Sequence, residues 1–138
     1  MLEKYYKYKA KYKEYIIMIK YGNFYEILDN DSLIMNSLFN YKLVKLSNTF
    51  KVGFPVSKID SVLKKLDDNS INYIVVDKDK IINIKEFESN NYKKYNFDNN
   101  IINYNSIIIN EITKYLNDNL LNNNITLKLE RIKEIINE

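Results

Sequence analysis

Residues 19–28 read IKYGNFYEIL, and they contain one of only two glycines in the chain. The apolar run that leads in, Tyr15–Lys20 (YIIMIK), has the β-branched content of a buried strand. Gly22-Asn23 is a turn signal, and Phe24–Leu28 resumes as a second strand. Strand residues alternate faces, so Phe24 and Glu26 project one way and Tyr25 the other. An aromatic ring and a carboxylate thus stand together beside a turn. Spacing alone leaves two readings open: Phe24 is core and Glu26 a nearby surface charge, or both face a ligand. A carboxylate aimed at DNA repels phosphate, and it makes sense there only against a base edge that can donate a hydrogen bond.

On the N-terminal side, Met1–Tyr15 has a helical period. Tyr5, Tyr8, Tyr12 and Tyr15 recur at spacings of 3, 4 and 3, while Lys4, Lys7 and Lys11 occupy a second face. The first twenty residues hold six lysines against Glu3 and Glu14, a net +4, so the remaining residues sum to −1 of the total +3. The lysine face is read either as a solvated surface or as a phosphate-contacting strip. Asn, Ile, Lys and Tyr are abundant throughout, as AT-rich codons favour, so position carries more weight than frequency.

On the C-terminal side, Asp31-Ser32 is expected to start a helix bearing Leu33, Ile34, Leu38 and Phe39. Tyr41–Leu46, a Ser47-Asn48-Thr49 turn and Phe50–Phe54 read as a hairpin. Ser57 and Asp60 resemble a capping box ahead of a helix presenting Ile59, Val62, Leu63 and Leu66. Ile71–Val76 is a strand that turns at Asp77-Lys78-Asp79-Lys80 into Ile81–Phe87. The expected fold is α/β, a mixed β-sheet flanked by helices, with two additional C-terminal helices. Residues 1–88 are expected to form that domain and 89–104 a connector, Ser89–Asn100 being a surface segment rich in Asn, Tyr and Lys. Residues 105–138 form a helical extension, with helices over Ile107–Leu121 and Ile125–Ile136. In the last, Ile125, Leu129, Ile132 and Ile136 make a short apolar seam that either folds back or pairs with a second copy.

Composition excludes much chemistry. The chain has 138 residues, 46% hydrophobic and 28% charged, the balance of a globular domain. With neither cysteine nor histidine there are no disulfides, no Cys-His nucleophile and no zinc site of the usual kind. Two glycines cannot supply GxxxxGK[ST] or GxGxxG, so no nucleotide-binding loop is expected. No cofactor, metal or catalytic residue is expected. The Asp77–Lys80 turn only superficially resembles the acid cluster of a metal-dependent nuclease. No membrane span or signal peptide is visible, and a cytoplasmic, DNA-associated location is expected.

Two motifs in order carry a resemblance. Gly22-Asn23-Phe24-Tyr25-Glu26 matches four of five positions of a G-[DK]-F-Y-E core, and about thirty residues later comes Val52-Gly53-Phe54-Pro55-Val56-Ser57. With Ile59, Val62, Leu63, Lys65 and Leu66 this second stretch resembles an A-G-V-P-Y-H…L-x-K-L pattern. Together they resemble the N-terminal mismatch-recognition domain of the MutS family of DNA mismatch-repair proteins, over roughly residues 1–87. The resemblance implies a DNA-binding module for mismatched or distorted duplex, acting in the minor groove. In it Phe24 stacks on a mispaired base and Glu26 hydrogen-bonds it. Lys20, Tyr21 and Asn23 would contact DNA, and Gly22, Gly53 and Pro55 would be structural motif residues. The departures are Lys20 in place of arginine, Tyr21 in place of Met or Leu, and Ser57 in place of histidine. No ATPase motif is present, so a stand-alone recognition domain is expected. The alternative is an assembly module whose C-terminal helices bind itself or a MutS-like partner.

Overall fold

The computed structural model describes residues 2–95 and 97–138, with side chains at all of these except 97–100 and 103. Met1 and Asn96, which the expected N-terminal helix and connector include, lie outside the described residues. Helix α1 (Leu2–Lys11) precedes a hairpin of β1 (Ile16–Tyr21) and β2 (Phe24–Leu28). Then come α2 (Asp29–Phe39), β3 (Val44–Leu46), β4 (Thr49–Pro55), α3 (Ile59–Asp68), β5 (Tyr73–Asp77) and β6 (Lys80–Lys85). Helices α4 (Phe97–Asp118) and α5 (Ile125–Ile136) follow. The six strands form one mixed sheet in the order β3-β4-β2-β1-β5-β6, so the expected α/β architecture is the one observed.

The only parallel pair among the described strands, β1 with β5, lies toward the centre. Both strands carry a four-residue apolar run, as stretches covered on both faces must: Ile16–Ile19 and Tyr73–Val76 are buried. The two-residue loops set the antiparallel registers. Gly22 takes φ +60°, the positive angle needed at the first central position of a type II′ hairpin turn. Lys78 and Asp79 both have positive φ (49° and 62°), the pattern of a type I′ turn between β5 and β6.

One face of the sheet carries α1. Tyr5 is fully buried there among Ile17, Ile19, Leu28, Ile74 and Val76, with Tyr8, Tyr12 and Tyr15 packed around them. The helix ends at Lys11, so Tyr12 and Tyr15 reach this cluster from the turn that follows rather than from a continuous helical face. On the other face Tyr25 lies 5.6 Å from Phe54, and Phe54 is stacked 6.0 Å from Tyr41. Tyr41 also stacks on Phe39 at 5.1 Å. This packing explains why Tyr41 is not in a strand: Asn40 ends α2 in the left-handed conformation (φ 57°), and only Val44–Leu46 pair with β4.

Asp31 and Ser32 do not cap α2. That helix begins at Asp29, directly after β2, and Asp31 is buried in its first turn. Its carboxylate accepts from the Tyr5 hydroxyl (2.5 Å), the Tyr92 hydroxyl (2.6 Å), Lys9 Nζ (2.7 Å) and the Ile17 N–H (3.1 Å). One acid thereby ties α1, β1, α2 and the segment after β6 together. The Ser57–Asp60 capping box is likewise displaced: a 3-10 turn at Val56–Lys58 runs straight into α3, and no side chain caps it.

The stretch after Ser89 is more than surface. Tyr92 is buried, and Asn90 accepts from the Asn72 N–H (3.0 Å) while donating to Glu14 O (2.8 Å). Helix α4 begins at Phe97, well before Ile107, whereas α5 has the expected bounds. The chain divides into two compact units, residues 1–101 and 102–138. In the second, Ile125 is buried while Leu129 and Ile136 are exposed, and Lys128 Nζ donates to the Tyr115 hydroxyl.

Candidate nucleic-acid interface

The β1–β2 hairpin fixes which side chains share a face. Its two-residue loop pairs Tyr21 with Phe24, Lys20 with Tyr25 and Ile19 with Glu26. Directly paired residues lie on the same face of a sheet, so Tyr21, Phe24 and Glu26 project together. They project on the face that carries α1, beyond the area that Tyr5 covers. There the sheet is open: Tyr21 is 54% exposed and Phe24 49%. Two large rings thus stand half in solvent at directly paired positions. Tyr25 and Ile27, on the opposite face, are buried, as alternation demands.

Strand β4 extends this face. Phe24 pairs with Pro55 and Glu26 with Gly53, and Lys51 stands two residues from Gly53 on the same side. Lys51 Nζ lies 3.2 Å from Glu26 Oε1, a diagonal cross-strand ion pair with side chains 30% and 21% exposed. The carboxylate that would repel phosphate is therefore partly neutralised. Lys51 was invisible to sequence reasoning because its place beside Glu26 depends on the long-range register of β2 with β4.

The expected contact residues are not all brought together. Tyr21, Asn23, Phe24 and Glu26 share the hairpin end, with Asn23 exposed in the loop, where its carbonyl accepts from the Val56 N–H at 2.9 Å. Lys20 projects from the opposite face, 3.7 Å from Asp77. Other positive charge near the open face comes from α1 and the β5–β6 turn. Lys4 pairs with Asp79 at 2.5 Å; that hydrogen bond raises the lysine's pKa and holds the Asp79 carboxyl below its usual range. Tyr8 donates its hydroxyl to Asp79 O at 3.1 Å, which fixes the turn against the helix. Gly22 carries the hairpin conformation, and Pro55 ends β4 at the edge of the open face.

Among the described residues no group of three or more acidic side chains is placed to hold a metal ion, and Asp79 of the Asp77–Lys80 turn is paired with Lys4. No described helix is long and apolar enough to cross a membrane.

Fold and site together define a mixed-sheet α/β domain that offers an exposed aromatic pair and a lysine-paired carboxylate at one hairpin. The sequence profile of MutS domain I matches residues 1–106, and the chain belongs to that family. The stretch also resembles the DNA mismatch repair protein MutS of Fervidobacterium nodosum, with 35% identity over 68 residues, 49% of this chain and 8% of that protein. The MutS proteins of Thermosipho melanesiensis and Borreliella afzelii are 36% and 35% identical over 66 residues, again 48% of this chain and 8% of each relative. The matched region thus corresponds to a small part of the length of these relatives.

Proposed function

We propose that this domain recognises mismatched or distorted duplex DNA by inserting Phe24 from the minor groove and engaging the displaced base with Glu26. The observation that carries this reading is the half-exposed Phe24 ring on the same face as Glu26, at a hairpin whose other face is packed. Wedging a ring between bases costs a few kcal/mol of unstacking in intact duplex, and less where a mispair has already weakened the stack. Base–aromatic stacking returns about 1–3 kcal/mol. Selectivity then comes from local deformability rather than from sequence readout. Lys51 reduces the electrostatic cost of bringing Glu26 to DNA, and Lys7 and Lys78 supply charge for phosphate. The action proposed is binding alone, with no reaction and no bound nucleotide.

The test is a fluorescence titration against matched duplex and duplex carrying one unpaired base. Wild type should prefer the bulged duplex, and binding to either should weaken steeply with salt. Phe24→Ala should abolish the preference while leaving the melting temperature close to wild type, since the ring is half in solvent. Equal binding of both duplexes by wild type, or an undiminished preference in Phe24→Ala, refutes the wedge.

A second reading, self-assembly through residues 102–138, is supported by the exposed Ile107, Ile109, Leu121, Leu127 and Ile136. Light scattering tests it: a monomeric full chain at micromolar concentration removes it.

A further inference from the structure

The two glycines of the chain differ in what the fold asks of them. Gly22 has φ +60°, a conformation that an L side chain rarely adopts, so the turn itself calls for glycine. Gly53 has no such angle, and a Cβ added there would meet only Tyr25 O, at an ordinary contact distance of 3.7 Å. Neither backbone conformation nor internal crowding requires glycine at this position. It is exposed inside β4, where glycine weakens a strand through its conformational freedom and its lack of a side chain to pack. A strand glycine often marks a bulge, a tight bend, or a place where a ligand or another backbone comes close, and the β2–β4 register runs through Gly53 without a bulge.

The surroundings of Gly53 say what that is. It pairs directly with Glu26 in the sheet, so its missing side chain leaves a notch beside the carboxylate. Phe24 and Pro55, the next pair on this face, bound the notch on one side, and Lys51 bounds it on the other. A ring that reaches into a groove must be accompanied by the groove's wall, which here comes down beside the ring and onto the strand. Lys51 places an ammonium at that far side, 3.2 Å from Glu26 Oε1 and 30% exposed, within reach of a phosphate laid along the strand.

We infer that Gly53 is a contact point at which the sugar-phosphate backbone of a duplex lies directly against β4, with Lys51 as the cation beside it. This assigns to Gly53 a binding role in place of a structural one, and it rests on the reading of this face as a DNA-binding surface. A Cβ at position 53 meets nothing closer than Tyr25 O within the protein, and a side chain there stands in the path of the nucleic acid.

The experiment uses the full chain, with Gly53→Ala and Gly53→Val beside wild type and Phe24→Ala. Melting temperatures are measured first, then titrations against matched and bulged duplex. Gly53→Ala should melt at the wild-type temperature or up to about 4 °C above it, because its Cβ makes only an ordinary contact and the substitution restricts the unfolded chain, and Gly53→Val, whose larger side chain sits at an exposed strand position, should melt within about 4 °C of wild type. Gly53→Val, which decides the matter, should bind bulged duplex at least about tenfold more weakly. A Gly53→Val protein that melts well below wild type shows a structural glycine and overturns the inference. So does a stable Gly53→Val protein with wild-type affinity; if Phe24→Ala still loses the preference, the mismatch reading survives alone. If wild type binds both duplexes equally and Gly53→Val weakens both, the contact at Gly53 stands and mismatch recognition falls. A wild-type chain that binds neither duplex overturns both.

Discussion

Replacing Asp31 by alanine is the sharpest test of how the hairpin face is held. The carboxylate is fully buried and accepts four hydrogen bonds, from Tyr5, Lys9, Tyr92 and the Ile17 N–H. Two of these donors keep another acceptor, Tyr5 at Leu28 O (2.9 Å) and Lys9 at Tyr15 O (2.6 Å), while the Tyr92 hydroxyl accepts from Lys9 at 3.1 Å. Lys9, however, is left as a largely buried cation without its anion. Stranding one member of a buried ion pair costs about 3–5 kcal/mol, and the 17% exposure of Lys9 puts this case near the lower limit. Loss of the acceptor for the Ile17 N–H adds about 1 kcal/mol. The expected total of about 4 kcal/mol is a large fraction of the roughly 5–15 kcal/mol that stabilises a domain. In a urea titration followed by circular dichroism the midpoint should fall by about 2 M. A loss below about 1 kcal/mol would refute the picture of Asp31 as the tie between α1, β1, α2 and Tyr92. The penalty also has a sign with pH. Burial pushes the carboxyl above its usual 3.8, against the opposing pull of Lys9, Tyr5 and Tyr92. Ionising it therefore costs the folded state more than the unfolded one. The stability tied to this shift is full below the unfolded value and is lost as pH rises through the raised folded value.

Two further substitutions separate site from scaffold. Lys51→Ala should leave stability within about 1 kcal/mol, because its pair with Glu26 is partly exposed. It should weaken matched and bulged duplex alike and reduce the slope of log affinity against log salt by about 1, and an unchanged slope removes Lys51 from the interface. Gly22→Ala has open space for its methyl group but must keep φ +60°, so a loss of about 1–2 kcal/mol is expected. A neutral result in thermal unfolding would mean that the turn relaxes to another type.

What could be read from the chain divides along the range of the interactions involved. That Phe24 and Glu26 share a face is a local fact: a glycine turn between two apolar runs fixes alternation, and alternation puts both on one side, while spacing leaves open whether that side is core or surface. The same rule was enough to place Lys20. A two-residue loop at Gly22-Asn23 pairs Tyr21 with Phe24 and Lys20 with Tyr25, so Lys20 belongs with the buried ring rather than with the wedge. Only the resemblance grouped Lys20 with the contact residues. The misread elements are those whose local signal was overruled by distant partners. Asp31 followed by Ser32 has the composition of a helix cap, but a carboxylate with a lysine and two tyrosine hydroxyls within reach gains more by going inside. The polar stretch after Ser89 reads as solvent-facing, yet Tyr92 enters the core because Asp31 waits there for a donor, and no periodicity within that stretch encodes it. Lys51 and Gly53 are the same case at the interface. Their meaning lies in the register of β2 against β4, a pairing between segments some 25 residues apart, where Lys51 meets Glu26. That the acid cluster inside and the charged notch outside both hang on β1, β2 and their flanking helices has a mechanical consequence. The hairpin end that carries Phe24 projects from strands pinned at their far ends by Asp31, through the Ile17 N–H on β1 and through Tyr5 onto Leu28 O at the end of β2. In the proposed wedge, force on the ring passes to its strand, and a strand anchored by buried hydrogen bonds resists it.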